Sequence, residues 1–179
     1  KLYENGNFSQ KINVPFCPES SLSGIGYKDF MDMVWYKREF NIEEEMNGKR
    51  IILHFQAVDY HTTVWINGKK AGEHRGGYTP FSFDITSLVK AGCNTVTLCA
   101  KDATRSGLQP RGKQSAGYFS AGCDYTRTTG IWQTVWFECL SESFLKKAKY
   151  YPNAAEGLLN VRCSIDGPLK GLKLKAEAM

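Results

Sequence analysis

Hydrophobic and polar residues alternate with a period of two along most of the chain. In residues 51–58 the large apolar side chains Ile51, Leu53 and Phe55 occupy every second position. Successive side chains of a β-strand point to opposite faces, so this spacing is typical of a strand with one buried face. Further short runs with strand character, each bounded by Gly, Pro, Asn or Asp, cover residues 34–40, 62–66, 81–85, 94–102, 131–139 and 158–165.

Turn signals separate these runs, and helical signals are scarce. Asn67-Gly68 predicts a hairpin, because both residues tolerate the positive φ of a type I′ turn. Residues 84–90 predict a single capped helical turn, and no longer window carries a helical stripe. Parallel strands need helical crossovers, so an α/β fold is disfavoured. The pattern therefore predicts an all-β sandwich or barrel.

Two long segments lack any strand pattern. The first loop covers residues 15–32 and is rich in Ser and Gly, and the long loop covers residues 103–129 and contains several glycines. Loops of this length within a compact domain are usually functional. We therefore expect a binding surface on at least one of them.

Composition narrows the classes of partner. Apolar residues make up 42% of the 179 residues, which is enough to bury a core, and no run approaches the 18 apolar residues of a membrane-spanning helix. The net charge of +5 is too small and too spread out for a typical nucleic-acid binder. We expect neither a nucleic acid nor a membrane as partner; a β-barrel that binds nucleic acid is an alternative supported only by the net charge.

Cysteine and histidine spacing gives no sign of a metal or cofactor. None of the six cysteines forms a Cys-x-x-Cys pair, and His54, His61 and His74 do not share a metal-ligand spacing. We expect no metal, no cofactor and free thiols in a reducing compartment, with one or more disulfides as the alternative. This favours the cytoplasm; because the chain begins at Lys1, a removed leader and a periplasmic or secreted location remain open.

The sequence Gly-Ile-Trp-Gln-Thr-Val-Trp at 130–136 belongs to the last of seven segments that run through the first 140 residues. These segments cover residues 14–24, 34–40, 53–60, 64–68, 74–85, 109–114 and 125–138. In this order they resemble the N-terminal sugar-binding domain of glycoside hydrolase family 2, which includes β-galactosidases, β-glucuronidases and β-mannosidases. The resemblance implies a jelly-roll β-sandwich, of the galactose-binding-domain-like class, over residues 1–140. It also implies a linker and the first strands of an immunoglobulin-like domain over residues 141–179.

The resemblance also implies a function. In this family a later barrel domain carries both catalytic glutamates, which a retaining glycoside hydrolase needs on either side of the bond it breaks. The chain is then a non-catalytic piece of a longer hydrolase of β-galactosides or β-glucuronides. The chain would support the catalytic barrel domain and contribute to the edge of the sugar pocket. We expect the parent enzyme to be a homo-oligomer. From the residues alone, an independent carbohydrate-binding module or lectin-like domain is the alternative.

The resemblance points to Asp124 as the main candidate for substrate binding. In β-galactosidases and β-glucuronidases of the family, an aspartate six positions before the Gly of the Gly-Ile/Leu strand contacts sugar hydroxyls, although many relatives with the Arg-Gly-Lys-Gln segment carry Trp there. Arg111, Lys113 and Gln114 are further candidates, which the long loop would present to the barrel or to substrate. The alternatives are a turn-capping role for Asp124 and a pinning ion pair for Arg111.

The same resemblance predicts parts of the core. We expect Val64, Ile66, Phe81, Phe83 and Trp136 to be mainly buried. Trp132 and Trp136 have the spacing of one strand face, so we expect both on the buried side. At the C-terminal end, alternation over residues 172–177 predicts another strand with a solvated face.

Overall fold

The computed structural model describes residues 6, 8–46, 48–175 and 177 and contains only strands, short 3-10 turns and loops. The predicted all-β sandwich is confirmed. Its strands are β1 (Met33–Ile42), β2 (Arg50–Phe55), β3 (Val58–Asp59), β4 (His61–Ile66), β5 (Lys69–Arg75), β6 (Phe81–Asp84), β7 (Gly92–Lys101), β8 (Gly130–Ile131), β9 (Val135–Leu140), β10 (Phe144–Asn153) and β11 (Leu158–Asp166).

Two antiparallel sheets form the sandwich. The four-stranded sheet has the order β1-β7-β4-β5, and the three-stranded sheet has the order β6-β2-β9. Strand β7 pairs with β1 along its full length, from Met33 opposite Lys101 to Ile42 opposite Gly92. A short antiparallel pair, β3 with β8, lies where the long loop rejoins the sandwich.

The core lies between the inward faces of the two sheets. Ile51, Leu53 and Phe55 of β2 are buried, as their alternation predicts. They pack with Val64 and Ile66 from the opposite sheet, which are fully buried. Burying side chains of this size stabilises the fold by about 1.5–3 kcal/mol each. Phe81 and Phe83 are partly buried and pack against this cluster, so four of the five expected core residues belong to it.

Trp136 is the exception, and the expectation that it belongs to the core was wrong. Its side chain remains 38% exposed, and its ring stacks on His54 at 4.8 Å between centroids. Trp136 and His54 are register partners on β9 and β2, and both lie on the outer face of the three-stranded sheet. Trp132 lies between β8 and β9 and donates its indole N–H to the Gly77 carbonyl at 2.8 Å. Because no continuous strand joins the two tryptophans, they do not share a buried strand face.

Local signals located the turns but missed strand β5. Asn67 has φ +50° and Gly68 has φ +79°, as the hairpin prediction requires. The strand that follows, β5, was not predicted, because Lys-Lys-Ala-Gly-Glu-His-Arg has no apolar alternation; it forms by pairing with β4. The predicted helical turn is a 3-10 turn at Thr86–Leu88, whose Thr86 N–H is accepted by the Asp84 carboxylate at 3.0 Å.

Strands β10 and β11 form a separate hairpin after the sandwich. Arg50 of β2 connects the two: its guanidinium pairs with Asp166 of β11 at 3.1 Å and lies 5.1 Å from the ring centre of Phe144. The strand predicted over residues 172–177 is wrong, since residues 172–175 have no regular structure and Ala176 lies outside the described residues. Alternation over six residues was too short a signal without a partner strand to pair with.

Gly72 marks a point where the two sheets pack closely, and it gives a test of the sandwich. A Cβ atom at position 72 of β5 would overlap the ring of Phe83 in β6. We expect Gly72→Ala to lower the free energy of unfolding by about 1–3 kcal/mol, as overpacking does. The control is Gly117→Ala, where the new methyl group meets atoms only at 3.6 and 3.8 Å. Urea unfolding measures both, and equal stability of the two variants would contradict this packing.

Candidate functional site

The long loop leaves and rejoins the sandwich at two adjacent buried points. It begins after β7 at Asp102, which is 2% exposed and whose N–H donates to the Asp32 carbonyl at 3.0 Å. It ends at Gly130, which pairs with Asp59. Gly130 has φ +75°, and any side chain there would overlap the Tyr36 hydroxyl group, so the site requires glycine. The loop is therefore fixed at both ends although it contains no long strand.

Asp124 and Arg111 form an ion pair on the outer part of the long loop. Arg111 Nη1 lies 3.1 Å from Asp124 Oδ2, and the same nitrogen donates to the Gln114 carbonyl. Two backbone hydrogen bonds between Ala121 and Asp124 close the turn that carries the carboxylate. The Asp124 side chain is 33% exposed, and no described residue donates to its Oδ1. One carboxylate oxygen is thus held by Arg111, and the other is available for a ligand.

The other two candidates point in different directions. Lys113 is exposed. Gln114 is buried, and both ends of its amide are hydrogen-bonded: Nε2 donates to Asp59 Oδ2 at 2.7 Å, and Oε1 accepts the Thr128 N–H at 2.7 Å. The structure therefore brings Asp124 and Arg111 together and leaves Lys113 at the surface. The side chain of Gln114 points inward and connects the loop to the sandwich.

Arg127 is a buried residue of this region that the sequence reasoning missed. It is 2% exposed and donates to the carbonyls of Ser115, Gly117, Tyr118 and Lys28. Lys28 belongs to the first loop, so one guanidinium joins both long segments. A single arginine between threonines carries no sequence signal that separates this role from an exposed position.

Phe30 of the first loop extends this connection. Its ring lies 4.1 Å from the guanidinium carbon of Arg127 and 3.9 Å from that of Arg105. Both distances are within the range of a cation–π interaction. Arg105 is exposed whereas Arg127 is buried, so only Arg127 lacks access to water that could replace its protein partners.

Three buried carboxylates lie beneath the long loop. Asp102 accepts from Gln109 and Thr104 at 2.6 and 3.0 Å, and Glu19 accepts the Thr129 N–H at 3.0 Å. Burial raises the pKa of both carboxyl groups. Burial, followed by the nearby Asp102, raises the pKa of Asp59 to about 7. These groups are enclosed and hydrogen-bonded by the loop, so a sugar in solution cannot reach them.

Exposed aromatic and apolar side chains lie close in sequence to Arg111 and Asp124, which form the ion pair. Leu108 is 92% exposed and Phe119 is 79% exposed, and Tyr118 and Tyr125 are also largely exposed. Tyr78 donates its hydroxyl to the Arg111 carbonyl at 3.3 Å. Rings of this kind can stack on the C–H face of a sugar or bury against another protein domain.

Metal-binding clusters and membrane-spanning helices are absent from the described part of the chain. No group of three or more His, Cys, Asp or Glu side chains is arranged to hold a metal ion there. None of its helices is both long enough and apolar enough to cross a bilayer. The six cysteines, all within the described ranges, are unpaired.

The family follows from a comparison with known protein families. Residues 2–139 match the family described as glycosyl hydrolases family 2, sugar binding domain. The chain belongs to this family. Its relatives include the β-galactosidase of Thermoanaerobacter pseudethanolicus, which is 32% identical over 121 residues, covering 66% of this chain and 15% of that enzyme. The β-glucuronidase of the cat, Felis catus, is 35% identical over 80 residues, covering 41% of this chain and 12% of the enzyme.

Solved structures of family 2 enzymes share the fold. Bacteroides uniformis β-glucuronidase 2, covalently bound to cyclophellitol-6-carboxylate aziridine, superposes with a TM-score of 0.53 at 28% identity, over 65% of this chain and 13% of that one. Ruminococcus gnavus β-glucuronidase matches 93% of this chain and 30% of its own, with a TM-score of 0.69 at 18% identity, and so supports the fold alone. The chain thus spans a small part of the length of its relatives.

Arg127 provides a test of how the family 2 loop is held. We expect Arg127→Met to lower the free energy of unfolding by about 3 kcal/mol, because buried carbonyls lose a charged donor. The matched control is Arg105→Met, which removes the exposed guanidinium on the same Phe30 ring and should cost less than about 1 kcal/mol. Thermal or urea unfolding of both variants measures the difference, and a cost for Arg127→Met no larger than the control would refute the anchoring role.

Proposed function

We propose that this chain is the non-catalytic N-terminal domain of a longer retaining hydrolase of β-galactosides or β-glucuronides, and that Asp124 contacts the sugar at the edge of its pocket. The observation that carries the proposal is the Arg111–Asp124 pair at 3.1 Å, which leaves one carboxylate oxygen open on an exposed turn. The names of the relatives, β-galactosidase and β-glucuronidase, support the substrate class.

The arrangement suits recognition of hydroxyl groups. A carboxylate accepts hydrogen bonds from sugar hydroxyls, and an ion pair to one oxygen restricts how the other can turn. Exposed aromatic side chains such as Phe119 and Tyr125 on the same loop offer flat apolar faces for the C–H side of a pyranose ring. Arg111 then orients Asp124, and Lys113 adds a positive charge at the surface.

The chemical step belongs to residues outside this chain. Retaining hydrolysis needs two carboxyl groups about 5–5.5 Å apart across the sugar. Glu19, Asp59 and Asp102 are each at least nine-tenths buried and accept hydrogen bonds from residues of the long loop. They therefore hold the loop rather than act on substrate, and we assign the chemistry to the later barrel domain that the family 2 resemblance implies.

Exposed apolar side chains support a contact with that barrel. Leu108 and Phe119 are the most exposed large apolar residues of the long loop, and docking would remove them from water. We propose that the first domain ends near residue 140, and that the β10–β11 hairpin begins an immunoglobulin-like domain. We also propose a homo-oligomeric, cytoplasmic parent; the six unpaired cysteines agree with a reducing compartment.

Asp124→Asn in the full-length enzyme tests the site. We expect kcat/KM for the nitrophenyl glycoside to fall about 10- to 100-fold, because a charged hydrogen bond contributes about 1.5–3 kcal/mol. The unfolding free energy should change by less than about 1 kcal/mol, since the ion pair is partly exposed. Glu156→Gln, which removes a carboxylate from the β10–β11 turn, is the control. An unchanged kcat/KM in the Asp124 variant would exclude this residue from the pocket.

The isolated chain provides a second test. We expect the 179-residue protein to release no nitrophenol from nitrophenyl β-galactoside or β-glucuronide, because this proposal assigns both catalytic glutamates to the barrel domain. Steady turnover by the pure chain would contradict the proposal.

The exposed aromatic residues of the long loop also favour a second candidate, an independent carbohydrate-binding module. Isothermal titration separates the two functions. Submillimolar affinity of the isolated chain for a galactoside or glucuronide, lost in Tyr125→Ala, would support the binding module. No binding would favour a domain that acts only together with its barrel.

A further inference from the structure

Asp59 has an unusual environment for a carboxyl group. It is the last residue of β3 and is 1% exposed. Its Oδ2 accepts one hydrogen bond, from Gln114 Nε2 at 2.7 Å, whereas its buried Oδ1 has no partner. Gly77 lies directly against the carboxyl group, so that a Cβ at position 77 would meet Asp59 Cγ at 2.6 Å. The pocket around Asp59 is thus tight and supplies one donor for two oxygens.

Gln114 connects this carboxyl group to both arms of the long loop. The amide that donates to Asp59 also accepts the Thr128 N–H at 2.7 Å. Next to it, the Ser115 N–H donates to the Tyr125 carbonyl and the Tyr125 N–H donates to the Lys113 carbonyl, both at 2.7 Å. A change at Asp59 therefore acts on the segment before the Asp124 turn and on the segment after it.

The charges that act on Asp59 are negative. Asp102, after β7, and Glu19, in the first loop, both raise its pKa, and burial raises it most. Within the described part of the chain no Lys, Arg or His forms an ion pair with Asp59. The Gln114 hydrogen bond lowers the pKa but does not offset burial and repulsion, and the result is a value of about 7.

We infer that Asp59 is a proton-dependent latch for the long loop: the neutral carboxyl group allows the loop to close over it, and loss of its proton to solvent favours an open loop in which water reaches the carboxylate. Deprotonation breaks one O–H bond at Asp59, and the proton goes to the buffer. This latch does not depend on the proposed function, because it requires neither a sugar nor a barrel.

The direction in which pH shifts loop opening follows from the difference between the pKa of Asp59 in the open and in the closed loop. In the open loop Asp59 regains an ordinary pKa of about 3.9, whereas the closed loop holds the pKa at about 7. The proton stabilises the closed loop fully below about pH 4, and this stabilisation is lost as the pH rises from about 4 to 7. The equilibrium constant for loop opening then rises by up to about tenfold per pH unit between about pH 4 and 7, and it levels off above about pH 7.

Hydrogen–deuterium exchange of the 179-residue chain between pH 4.5 and 8.5 tests the latch. Exchange is followed in peptides from the long loop, residues 103–129, and from β7, and is expressed as protection factors so that the intrinsic pH dependence of exchange cancels. We expect protection of the loop around Ser115, Tyr125 and Thr128 to fall up to about tenfold per unit as the pH rises to about 7, while β7 stays protected. Loop protection that does not change with pH would overturn the inference.

Two variants test whether the pH dependence of loop protection comes from Asp59 or from another carboxyl group. Asp59→Asn keeps an acceptor for Gln114 but cannot release a proton, so the pH slope of loop protection should become shallower. Glu45→Gln removes an exposed carboxylate on the turn between β1 and β2 and should keep the wild-type slope. A wild-type slope in Asp59→Asn would refute the latch.

A direct titration of the wild-type protein covers the case in which Asp59→Asn does not fold. The side-chain carboxyl carbon of Asp59, followed by NMR, should titrate near pH 7 and together with the amide shift of Thr128. Titration of Asp59 near pH 4 would overturn the inference, and so would titration near pH 7 with no response at Thr128.

Discussion

The long loop depends on one constraint: the polar groups that it buries need hydrogen-bond partners inside the protein. A segment without long strands cannot satisfy its backbone by a sheet ladder, and an unpaired buried group costs about 1–3 kcal/mol. Arg127 meets this need for the carbonyls, and three buried carboxyl groups meet it for loop donors such as Gln109 and Gln114. Without these contacts, the turn that carries Asp124 would have no fixed position.

This solution has an electrostatic cost that the sandwich core offsets. Burial raises the pKa of both Asp59 and Asp102, and repulsion from the nearby Asp102 and Glu19 carboxylates raises the pKa of Asp59 further. The apolar cluster around Phe55 and Ile51 provides the stability that tolerates this cost. This family 2 sugar-binding domain thus combines an apolar core with a layer of buried polar groups beneath its long loop, and the loop carries the partly exposed ion pair.

How far the sequence predicts this molecule depends on the range of the interactions. Strands with large apolar residues at every second position, such as Ile51, Leu53 and Phe55 of β2, and turns that need a positive φ, such as Asn67-Gly68, are determined by neighbouring residues and were predicted. Strand β5 was missed because it is polar and forms only through its pairing with β4. The predicted strand over residues 172–177 was wrong because alternation alone does not supply a partner strand.

The candidate site also combines features that local sequence determines with features that long-range contacts determine. Motif order and the spacing from Gly130 identified the family and singled out Asp124, since both are properties of the chain as written. Only the tertiary structure decided that Arg111 pairs with Asp124 while Gln114 turns inward to Asp59, and that Trp136 stays outside the core. Burial and pairing between residues far apart in sequence determine these outcomes: Gln114 and Asp59 are 55 positions apart, and no local pattern records which of two polar neighbours will face the protein.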